Sequence, residues 1–83
     1  MENRRELEHK MIGLNIAYYR KLRNMTQREL AERVHISRTH ISYIEAPNVP
    51  ASASLETLMD IAEVLDVPVA SLLSFDKMED IRA

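Results

Sequence analysis

Two helix-start signals lie eleven residues apart near the middle of this 83-residue chain, and that interval constrains the fold more than any other feature. The first is Thr26-Gln27-Arg28-Glu29, a capping box. Its Thr26 hydroxyl can accept from the Glu29 backbone N–H while the Glu29 side chain reaches back to Thr26. Met25 before the cap and Leu30 four positions after it form a hydrophobic staple, so the pattern predicts a helix from Gln27 to about Val34. The second signal is Ser37, stapled by Ile36 and Ile41, which opens a helix running to about Glu45. About three residues remain between the two helices, and a turn that short forces them to cross steeply.

A steep crossing divides the side chains of the third helix between two sides. Ile41 and Ile44 are expected to face inward with Leu30 and Val34, and Ala31 is small where the helices approach. Thr39, Ser42 and Tyr43 are left on the outer side, with Arg38 at the exposed beginning. None of these is acidic, whereas an ordinary solvated face mixes Glu with Lys. A helix with a polar, non-acidic outer face fits the major groove of B-DNA, which is about 12 Å wide.

The remaining sequence supplies three more helices and no convincing strand, since apolar residues recur at helical rather than alternating spacing. Ile12, Ile16, Tyr19 and Leu22 predict a first helix over about residues 12–23, which residues 1–10 can extend. Residues 46–53 hold two prolines and read as a loop. Ser54 caps a fourth helix striped by Leu55, Leu58, Ile61, Ala62 and Leu65. That helix is expected to break at Asp66-Val67-Pro68, because proline disfavours helical backbone in the residue before it. Val69, Leu72 and Leu73 mark a short fifth helix. The fold predicted is all-α, a compact five-helix bundle containing a helix-turn-helix. Residues 1–10 form an N-terminal extension, 11–74 the domain, and 75–83 a tail in which Phe75, Met78 and Ile81 are a candidate dimer contact.

Charge is divided along the chain. Residues 1–43 carry nine basic and five acidic groups, a net +4, and residues 44–83 carry two basic and eight acidic groups, a net −6. Electrostatic fields fade within about 10 Å at ordinary salt, so the basic first half can face phosphates despite the overall −2. A single glycine excludes a phosphate loop built on several glycines, and the lack of cysteine excludes disulfides and thiol chemistry. No stretch approaches the roughly 20 apolar residues a bilayer demands, and residues 1–10 lack a signal-peptide apolar run, so the sequence predicts a cytoplasmic protein with no membrane partner. His9, His35 and His40 fall on different elements with no ligand spacing, and no nucleophile sits beside an oriented base. Neither a metal nor a cofactor is expected, nor an enzyme.

Several motifs occur in order: Gln27-Arg-Glu-Leu-Ala31, Val34-His-Ile-Ser37, Ile41-Ser-Tyr-Ile-Glu45, Ser54-Leu-Glu-Thr-Leu58, and Leu65-Asp-Val67 with Leu72-Leu73. Together with Gly13, Ile16, Arg20 and Leu22 upstream, they resemble the Xre/Cro-type helix-turn-helix family of phage and bacterial repressors over about residues 11–74, and Met11-Ile-Gly13 with Tyr19-Arg-Lys21 resemble SinR-type members. The resemblance implies the lambda repressor-like fold and a homodimer that sets one third helix into each of two successive major-groove segments of a double-stranded operator. By position, Gln27 would bond a phosphate, Ser37 and His40 would lie near the backbone, and Arg38, Thr39, Ser42 and Tyr43 would reach base edges. Arg20 and Glu45 would form an internal salt bridge. Some relatives of this fold act instead as antitoxins or bind a protein antagonist, so a toxin or antagonist is the alternative partner. The sequence departs from the family where His35 and Asn24 replace turn glycines, positions that call for positive φ. The proline-containing loop is also about two residues longer than common.

Overall fold

The computed structural model describes residues 3–46 and 53–75. Five helices follow one another: α1 (Arg4–Leu22), α2 (Gln27–Val34), α3 (Arg38–Glu45), α4 (Leu55–Leu65) and α5 (Val69–Leu72). The proline-containing loop at 47–52 and the tail residues Met78 and Ile81 lie outside the described residues.

Each helix begins where a short polar side chain can replace a missing backbone partner, except α5, which starts at Pro68 without a side-chain cap. Thr26 and Glu29 close the predicted capping box at 3.0 and 2.9 Å. Ser37 accepts from the His40 N–H at 3.0 Å, and Ser54 from the Thr57 N–H at 3.1 Å. The extension allowed for residues 1–10 is realised: α1 begins at Arg4, two turns before the Ile12 stripe, because Asn3 caps it by accepting from the Glu6 N–H at 2.8 Å. Residues 4–10 are therefore the opening turns of α1, and Leu7 among them is buried with Met11 against Phe75.

The end of α4 falls where expected but has a different cause. Asp66 takes left-handed backbone (φ 58°) and its N–H bonds back to the Ala62 and Glu63 carbonyls, so the helix is closed by its own cap before Pro68 acts. Pro68 instead stands at the N-terminal boundary of α5, where its missing N–H costs nothing.

One core joins all five helices. Ile16 of α1, Leu30, Ala31 and Val34 of α2, Ile41 and Ile44 of α3, Leu58, Ile61, Ala62 and Leu65 of α4, and Leu72 of α5 pack together. Six large side chains, including Ile16, Leu30 and Ile41, are essentially inaccessible to water. Burying each stabilises the fold by about 1.5–3 kcal/mol, more than the roughly 1 kcal/mol of a typical cap. Asn15 adds a polar tie by donating to the Leu72 and Ser74 carbonyls at 3.1 and 2.9 Å, holding the end of α5 against α1.

Candidate nucleic-acid interface

The core determines which face α3 offers to solvent. Ile41 and Ile44 are 0 % and 4 % exposed, so their opposite face must turn outward. Arg38, Thr39 and Tyr43 are exposed there, Tyr43 to 51 %, while Ser42 and His40 are half-buried at the margins. Ser37 is exposed at the start, with its hydroxyl engaged as the cap. The outward set thus contains one fixed cation, hydroxyl and imidazole groups, and no carboxylate.

The turn into α3 depends on His35. Its backbone is left-handed (φ 63°, ψ 39°), and its N–H closes α2 onto the Ala31 and Glu32 carbonyls. Asn24 takes the same conformation (φ 56°) between α1 and α2. Both show the positive φ expected at these positions from the sequence.

Behind α3 lies a buried polar junction. Arg20 donates through Nε to Glu45 Oε2 at 2.8 Å and through Nη2 to Glu45 Oε1 at 2.9 Å, a two-point pairing of guanidinium and carboxylate. The Arg20 Nη1 donates to the Met25 carbonyl at 2.8 Å. Gln27 completes the junction by donating from Nε2 to Glu45 Oε1 at 3.0 Å. The side chains of Arg20 and Glu45 are only 10 % and 5 % exposed, so each charge relies on the other. Among the described residues no buried side-chain polar atom lacks a partner.

Gly13 permits this arrangement. A Cβ on Gly13 would run into the Ile44 carbonyl oxygen and crowd the Glu45 backbone, so α1 and the last turn of α3 meet backbone to backbone.

Sequence reasoning missed two features of the site. The Gln27 side chain turns toward Glu45, a contact 18 residues away that becomes visible only once α2 and α3 are crossed. Arg23, one of the basic groups of the first half, caps the end of α4 by donating to the Leu65 and Asp66 carbonyls at 2.9 and 3.3 Å. Its charge is thus committed to a helix C-terminus, where a cation is favourable. Glu29 is held below the usual carboxyl value of 4.5, chiefly because its carboxylate accepts from the Thr26 backbone N–H. His9, His35 and His40 do not converge, and among the described residues no group of three His, Asp or Glu side chains is placed to hold a metal. No described helix is long and apolar enough to cross a membrane.

A short-turn pair of helices, with the second exposing a non-acidic face over a buried Arg–Glu pair, defines a helix-turn-helix domain. Residues 16–72 match the model of the family described as helix-turn-helix, and the chain belongs to that family. It is 38 % identical over 64 residues to the HTH-type transcriptional regulator SinR of Bacillus licheniformis, covering 77 % of this chain and 57 % of the relative. The chain thus spans little more than half the length of that relative. A crystal structure of SinR, described as the master regulator for biofilm formation, in complex with DNA matches with a TM-score of 0.70 at 36 % identity, covering 76 % of this chain and 98 % of that one. A complex of SinR with SinI matches with a TM-score of 0.71 at 31 % identity, covering 86 % and 74 %.

Proposed function

We propose that this chain is a sequence-specific regulator of transcription that binds double-stranded DNA in the cytoplasm, acting as a repressor whose homodimer occupies an operator and excludes polymerase. The observation that carries this reading is the outward face of α3: exposed Arg38, Thr39 and Tyr43 over buried Ile41 and Ile44, with no acid among the outward set. The matched SinR–DNA complex supports the same class of ligand.

In the proposed complex α3 lies in the major groove. Arg38, Thr39, Ser42 and Tyr43 meet base edges, while Ser37 and His40 flank the sugar–phosphate backbone. The first turn of α2, with Gln27 at its first position, directs free N–H groups and the positive end of the helix toward a phosphate. Two copies would place their α3 helices about 34 Å apart on one face of the duplex, the spacing of one helical turn.

Binding to random duplex DNA across a salt series tests the class of function. Affinity should fall steeply, with a log–log slope of about −0.9 per phosphate neutralised. A flat response near background contradicts DNA binding. Selection from a random duplex pool then supplies the site. On that site Arg38→Ala should cost about 1–3 kcal/mol and relax preference at one base position, as loss of a two-point contact to guanine would. An equal loss on every sequence would reassign Arg38 to a phosphate.

A second reading is favoured by Leu55 and Met59, one turn apart on α4 and 62 % and 49 % exposed. They give the acidic half of the chain an apolar surface for a protein antagonist or toxin, in keeping with the matched SinR–SinI complex. The salt series separates this role from DNA binding.

A further inference from the structure

The last turn of α3 is held at three points, two on α1 and one on α2. Gly13 of α1 allows its backbone to approach Ile44, Arg20 grips the Glu45 carboxylate at two points, and Gln27 of α2 reaches the same carboxylate at 3.0 Å. Gln27 is the member that joins the two helices of the pair directly, from the first residue of α2 to the last of α3. It is half-buried, and its amide hydrogen is directed inward, to a carboxylate already fixed by Arg20.

We propose that Gln27 is a positioning residue for base reading: through Glu45 it sets the inclination of α3, and so the placement of Ser42 and Tyr43 near its C-terminal end. This rests on the DNA-binding reading above and goes beyond a contact between Gln27 and a phosphate. A neutral amide adds no counterion release, so its loss as a phosphate contact would weaken all sequences alike. Loss of a positioning contact acts differently. It lets the far end of α3 swing, which penalises the selected site and leaves contacts to random duplex, made mostly to phosphates, largely intact.

The test uses the full chain and Gln27→Ala, first without DNA and then with the site recovered from a random pool. Without DNA, backbone amide chemical shifts of Tyr43, Ile44 and Glu45 should move while those of the α4 core residues Ile61 and Leu65 stay in place. Unchanged shifts in that turn overturn the proposal. With DNA, affinity for the selected site should drop about tenfold, concentrated at base pairs opposite the C-terminal half of α3, while affinity for random duplex changes less than twofold. An equal loss on selected and random duplexes overturns it in favour of a phosphate contact, and no loss on either overturns it outright. Failure of the unsubstituted chain to bind any duplex in a salt-dependent way would instead refute the DNA-binding reading.

Discussion

Asn24, His35 and Asp66 share one backbone conformation, left-handed with φ between 56° and 63°, and each follows the end of a helix. Asparagine, aspartate and histidine tolerate this region better than most residues, which explains their presence in a chain with one glycine. Tolerance still carries a steric cost. His35→Gly removes it but gives the unfolded chain more freedom, so the expected net gain is up to about 1 kcal/mol. That gain corresponds to a rise in Tm of about 4–8 °C for a domain of this size, and a marked fall would contradict the geometry. Glu29 gives a second residue-scale prediction. Its folded-state value is depressed by the Thr26 N–H, so its stabilising effect is present above the unfolded value near 4.5 and is lost as pH falls through the lower folded value. Titration of its side-chain carboxyl by NMR should show a midpoint below 4.5, and Thr26→Ala, which removes the hydroxyl partner, should move it up. A midpoint at or above 4.5 in the unsubstituted chain would contradict the capping-box account.

At the scale of elements, the helices were legible where the chain carries local start signals. Thr26, Ser37 and Ser54 each cap within three residues, and α2, α3 and α4 begin where those residues say. The start of α1 was less legible because the apolar stripe from Ile12 is stronger than the isolated Asn3 cap two turns earlier. The end of α4 is legible in position but not in cause, since Pro68 is conspicuous and a left-handed Asp66 is not. Contacts between distant elements were least legible. Arg23 lies 42 residues from Leu65, and nothing in its neighbourhood marks it as a cap rather than a phosphate ligand. The α1–α3 contact makes its own prediction. Gly13→Ala gains about 1 kcal/mol of helix propensity. It also drives a methyl group into the Ile44 carbonyl, a backbone atom that cannot rotate away, at a typical overpacking cost of about 1–3 kcal/mol. Thermal melting should therefore show a net loss of stability; an unchanged or raised Tm would mean that α1 and α3 separate easily.

For the molecule as a whole, core and candidate interface are two consequences of one pattern. The residues that send Ile41 and Ile44 inward also send Thr39 and Tyr43 outward, so the face was legible from spacing alone. What spacing does not encode is how firmly that face is held, because the junction of Arg20, Glu45 and Gln27 is assembled from three helices. The charge division points the same way, with the basic half containing α2 and α3 as far as Tyr43 and the acidic half containing α4. Amide chemical-shift mapping of the labelled chain, as its selected duplex is added, tests the central claim most directly. The expected result is a contiguous set of shifts over the first turn of α2 and residues 37–43. Shifts confined to α4 and α5, with α3 unmoved, would contradict it.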